Sequence, residues 1–127
     1  MAIILQVKES TREVFVNRLT GVLRDTWSVD REGDFTHTPQ QWVGKAWFRI
    51  RPAEDSCLDS IKIGIIQSRQ HKLTPAIYAV YHGRFVEMLL AHFDKYITDI
   101  RITPLLDYSI DYRPEPSVRQ IINNFPN

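Results

Sequence analysis

Residues 42–51 read Trp42-Val43-Gly44-Lys45-Ala46-Trp47-Phe48-Arg49-Ile50-Arg51, and residues 61–66 read Ile61-Lys62-Ile63-Gly64-Ile65-Ile66. In the first stretch Trp42, Gly44, Ala46, Phe48 and Ile50 share one face, and Lys45, Trp47, Arg49 and Arg51 share the other. That period of two marks a half-buried strand. In the second stretch Ile61, Ile63 and Ile65 alternate with Lys62, Gly64 and Ile66. The polar, turn-like run from Pro52 to Asp59 between them predicts an antiparallel hairpin with a long loop. A two-stranded hairpin is marginal in water, so its apolar face requires a second layer.

Upstream, Ser10-Thr11-Arg12-Glu13 has the pattern of a capping box, in which hydroxyl and carboxylate each satisfy an orphan amide at a helix start. The helix it predicts collects Phe15, Leu19, Val22, Leu23 and Thr26 on one stripe. Gly21 weakens it by roughly 1 kcal/mol relative to Ala. The opening Met1 to Val7 is apolar but has neither the basic start nor the small-residue cleavage site of a secretion signal, and is expected to belong to the fold. From Trp27 to Gln41, turn and cap residues predict an exposed connection, with a short strand pair around Glu32-Gly33.

Downstream, Ile77-Tyr78-Ala79-Val80-Tyr81 reads as a short strand, with a helical start at Thr74-Pro75 as the alternative. After Gly83, residues 84–97 place Phe85, Val86, Leu89, Leu90, Phe93, Tyr96 and Ile97 on one broad stripe, predicting a second helix. Thr98 to Thr103 alternates and stops at Pro104, as a strand does. Residues 104–127 read as irregular, with a short helix around Val118 to Asn124. The expectation is a single α+β domain over 1–127: a mostly antiparallel sheet of about four strands with two main helices on one face.

Composition bounds the function. At 127 residues with 43% hydrophobic and 24% charged side chains, the chain is ordinary for a globular domain. Its net charge of +1 creates no global field toward phosphate or an anionic membrane. Charge is instead local: residues 41–72 hold Lys45, Arg49, Arg51, Lys62, Arg69 and Lys72 against Glu54, Asp55 and Asp59, while residues 94–115 are mildly acidic. The single cysteine, Cys57, lies among carboxylates that disfavour its thiolate and leaves no partner for an internal disulfide. A reducing, cytoplasmic setting follows as the expectation. No apolar run approaches the roughly 18 residues of a membrane span, so no membrane partner is expected.

Two groups of residues stand out as binding candidates. Lys45, Arg49 and Arg51 around Trp47 would offer cations to phosphates and an indole to a stacked base, which suits single-stranded nucleic acid. The same set suits a protein interface, where Trp and Arg are enriched, or a solvated sheet face on which long cations cover an indole. His82 and Arg84, at the expected junction between strand and helix, would hold an anion beside helix-terminal amides.

His82 and His92 are ten residues apart, about 80° off one line on a helix, which disfavours a shared metal. Asp25, Asp30, Glu32 and Asp34 do not fit a calcium loop and read as solvated loop charge. No metal or cofactor motif is present, and no catalytic residue is assigned. Three functions therefore compete: a non-catalytic protein-interaction or accessory module, a nucleic-acid-binding module, and a small-ligand or enzyme domain at His82 and Arg84. The partner expected first is another protein, and a homo-oligomer is compatible with that.

Overall fold

The computed structural model describes residues 3–21, 26–52 and 59–104, together with the backbone of 111–112. Its elements are β1 (Ile3–Val7), α1 (Arg12–Gly21), β2 (Trp27–Val29), β3 (Phe35–His37), β4 (Ala46–Ile50), β5 (Ser60–Gln67), α2 (Pro75–Phe93), a 3-10 turn (Asp94–Tyr96), β6 (Ile97–Ile102) and β7 (Asp111–Tyr112). The class is α+β: one sheet in the order β2-β3-β4-β5-β1-β6, antiparallel throughout, with both helices on one face. That path has six strands where about four were expected. The two-residue β7 adds a parallel pairing along β5 at Ile66 and Gln67, beyond the reach of β1.

The hairpin of the opening stretch forms as read. Phe48 pairs with Ile65 and Ile50 with Ile63 on the helix-covered face, while Trp47 pairs with Ile66 on the other. It starts later than expected, because Gly44 has φ of +73 and the chain turns from Pro39 to Lys45 before entering β4. The additional strands come from three places. Ile3-Ile4-Leu5-Gln6-Val7 alternates buried and half-buried and lies centrally, between β5 and β6. Trp27–Val29 and Phe35–His37 form the strand pair expected near Gly33, but Trp27, Phe35 and His37 are buried, so the segment is part of the core instead of an exposed connection.

The helices also differ in extent. The residue before α1 is Thr11, whose carbonyl accepts from Phe15 N, while Ser10 stands at φ of 62 and so cannot be the extended cap that a capping box requires. Phe15 and Leu19 are the buried residues of α1; Val22 and Leu23 lie outside the described residues. Arg12 ties the helix to the sheet by donating to the Ser60 carbonyl at 2.6 Å.

Residues 77–81 are helix, not strand. The Thr74 hydroxyl accepts from Ile77 N at 3.2 Å, Pro75 occupies the first turn, and α2 continues through Gly83 to Phe93. Its buried stripe, Ile77, Tyr78, Tyr81, His82, Phe85, Met88, Leu89 and Phe93, extends the period of residues 85–93 back by two turns. Gly83 lies on the exposed side, where a break in the stripe costs no packing. Ile97 belongs to β6, because the 3-10 turn ends the helical period.

The core is aromatic toward β2 and aliphatic toward β1. Trp27, Phe48, Tyr81 and Phe85 meet with ring centroids 4.7–6.1 Å apart, a spacing at which offset and edge-on rings attract. Ile3, Leu5, Ile61 and Ile63, all 0% exposed, fill the other half with Phe15 edge-on to Phe93.

Candidate functional site

Trp47, Arg49 and Arg51 share the sheet face opposite the helices, as the alternation predicts. Lys45 does not join them in the strand. It precedes β4, and its Nζ sits 5.7 Å over the Trp42 ring, so the cation is spent on a neighbouring indole. Arg51 lays its guanidinium across Gly64, where a Cβ would come within 2.8 Å of Nε. Glycine is what lets that arginine lie flat. Ile66, opposite Trp47, is 0% exposed, so this face is covered at that point. Trp47, Arg51 and Lys62 are all engaged within the chain.

Arg49 is committed most firmly. Phe35 faces Phe48 in the β3–β4 register, which brings residue 34 beside residue 49. Arg49 Nε donates to Asp34 Oδ1 at 2.7 Å and its Nη2 to Oδ2 at 2.8 Å, a two-pronged pair, with Glu32 at 3.5 Å on the rim. The Asp34 hydrogen bond holds the guanidinium pKa above its usual value. Asp34 is 0% exposed, so it is a buried partner instead of solvated loop charge. A local turn positions it: Asp30 Oδ1 accepts from the backbone of Glu32 and of Asp34, and Gly33 at φ of +79 closes the bend. Asp25 lies outside the described residues.

His82 and Arg84 do not form a site at a junction, because residues 75–93 are one helix and both lie inside it, well past its first-turn amides. Arg84 is exposed and pairs with Glu87 at 3.0 Å. His82 is buried: its ring stacks on Tyr78 at 3.8 Å and meets Phe48 edge-on at 5.0 Å. The 2.7 Å contact from His82 Nδ1 to the Tyr78 carbonyl requires the proton on Nδ1, leaving Nε2 as an acceptor without a partner among the described residues. Burial pulls the His82 pKa down to about 4. The two side chains thus point to different environments and offer an anion no common cradle.

His37, expected in a loop, is buried on β3, lies tilted against Trp27 with ring centroids 4.7 Å apart and donates from Nδ1 to the Thr26 carbonyl. Its pKa is lowered, chiefly by burial. Cys57 lies outside the described residues. Among the described residues no group of three His, Cys, Asp or Glu could hold a metal ion, and no helix is long and apolar enough to cross a membrane. A surface concavity of about 630 Å³ lies along the start of α1, lined by Glu9, Arg12, Glu13 and Asp59 among others. Glu9 and Glu13 face solvent there.

A surface that sequence reasoning missed lies at the edge of the sheet. Among the described residues β6, six residues long, pairs with β1 alone and forms an edge of the sheet. Ile97 and Ile100 are half-buried against the core, whereas Ile102 is 48% exposed. Asp99 and Arg101, on the opposite face, have side chains 47% and 76% exposed and touch each other at 3.1 Å. The strand itself was legible; its edge position depends on where β1 inserts.

Comparison of the chain with family models, with curated proteins and with solved structures yields no match.

Proposed function

We propose that this chain is a protein-binding module that takes an extended segment of a partner onto the outer edge of β6. The observation that carries the reading is the contrast, among the described residues, between a six-residue strand paired on one side and the Trp47, Arg49 and Arg51 face, whose side chains are engaged within the chain. The outward N–H and C=O groups of an edge strand are strong donors and acceptors in a fixed row, so an added strand gains main-chain hydrogen bonds without rearrangement. Specificity comes from the side chains that alternate along it, with Ile100 and Ile102 on the helix side and Asp99 and Arg101 on the other.

Binding is thereby assigned to β6 instead of the Trp47 face. On that face Arg49 is neutralised by Asp34 and Lys45 covers Trp42, so the two cations offer less to phosphates than their sequence spacing suggested. The test is photo-crosslinking in the native host with a benzophenone side chain at position 101, and at position 47 for comparison. The reading predicts discrete protein adducts from position 101. Adducts from position 47 alone would overturn it.

A further inference from the structure

Resting on β6 as the binding edge, we infer that the segment it takes is β6 of a second copy, forming an isologous dimer with a continuous sheet across the two-fold axis. The pattern of the strand is complementary to itself. When two copies run antiparallel with Ile100 opposite Ile100 of the second copy, residue 99 of each meets residue 101 of the other. Asp99 then faces Arg101 twice, once on each side of the axis. On the helix side Ile100 meets its own copy, and Ile102, now 48% exposed, comes opposite the irregularity at Thr98, where the β1–β6 register shifts.

The register is specified by charge. Of the neighbouring pairings that keep the helices of both copies on one side, centring on residue 99 sets Asp99 against Asp99, and centring on residue 101 sets Arg101 against Arg101. Only Ile100 at the centre gives two opposite-charge pairs. The Asp99–Arg101 contact within one strand, at 3.1 Å, already places both charges on the same face, where each needs only to turn outward to the other copy.

Size sets the strength. A six-residue strand spans roughly 20 Å, and one added strand covers less than the ~800 Å² per partner of a standard stable interface. The dimer is therefore weak and concentration-dependent. Each charge reversal replaces both attractive pairs with repulsive ones, and weakens association roughly tenfold.

The experiment is sedimentation equilibrium of the whole chain from micromolar to high-micromolar concentration, for the wild type, Asp99→Arg, Arg101→Asp and an equimolar mixture of the two variants. Both positions are exposed, and circular dichroism of each variant verifies that the fold is kept. The expected result is a reversible wild-type dimer, near-monomeric single variants, and recovery in the mixture. Recovery follows because the Asp99→Arg chain and the Arg101→Asp chain present opposite charges to each other on both sides of the axis. A wild type that stays monomeric throughout, or reversals that associate as tightly as the wild type, would overturn the inference. If the wild type is monomeric while position 101 crosslinks to a different protein, the second copy is excluded and the binding edge stands.

Discussion

At one edge of the sheet, β2 offers three residues and turns its largest side chain, Trp27, into the core; at the other, β6 offers six and leaves Asp99, Arg101 and Ile102 at the surface. A short edge with its side chains packed inward presents little to a second strand, which is a common way of blunting it. The β2 edge is reinforced by the aromatic cluster below it and by the Asp30–Asp34 bend beside it. The β6 edge has no such closure among the described residues. The difference teaches that, among the described residues, one edge is closed by packing while the other is paired on one side only, which is what the proposed docking rests on.

The comparison can be broken most severely at Trp27. Trp27→Ala removes the ring that touches His37, Phe48, Tyr81 and Phe85, and should cost about 3–5 kcal/mol in denaturant unfolding. Amide exchange should then rise along β2 and β3 and change little along β6.

Acid should loosen the same half. His82 has a folded-state pKa of about 4, below its ordinary 6.5, so below pH 6.5 the unfolded chain binds a proton that the folded chain excludes. Its contribution is fully present above about pH 6.5 and is lost as pH falls toward 4, amounting to about 3 kcal/mol. His37 acts in the same direction. Chemical unfolding across pH 4 to 7 checks this, and His82→Leu should flatten the dependence.

A smaller effect is expected at the bend. Asp34→Ala leaves Arg49 without its two-pronged partner and should cost about 2 kcal/mol, with a double-mutant cycle against Arg49→Ala isolating the pair. The smallest change should be a gain. A Cβ at Gly83 meets nothing within 4 Å, so Gly83→Ala should raise stability by about 0.5–1 kcal/mol, read as a higher unfolding midpoint.

How much of this was legible depended on whether the signal was local. The β4–β5 hairpin showed in the sequence because each strand is long enough to display its period against charged alternates. Trp27–Val29 and Phe35–His37 are three residues each, too short for a period, so their burial was invisible although the turn at Gly33 was clear. Ile77 to Tyr81 misled because β-branched and aromatic residues fit either state. Only carrying the stripe of Phe85 back through Gly83 separates them. The Arg49–Asp34 pair depends on the β3–β4 register, and the edge position of β6 among the described residues depends on β1 inserting between β5 and β6; neither is written in any one segment.

The most direct measurement of β6 as the edge that takes a second copy is hydrogen–deuterium exchange resolved strand by strand, at low and at high protein concentration. The outward amides of residues 97–102 should gain protection as concentration rises, with those of residues 27–29 unchanged. Exchange along β6 that is independent of concentration, or protection gained at β2 instead, would contradict pairing of β6 with a second copy.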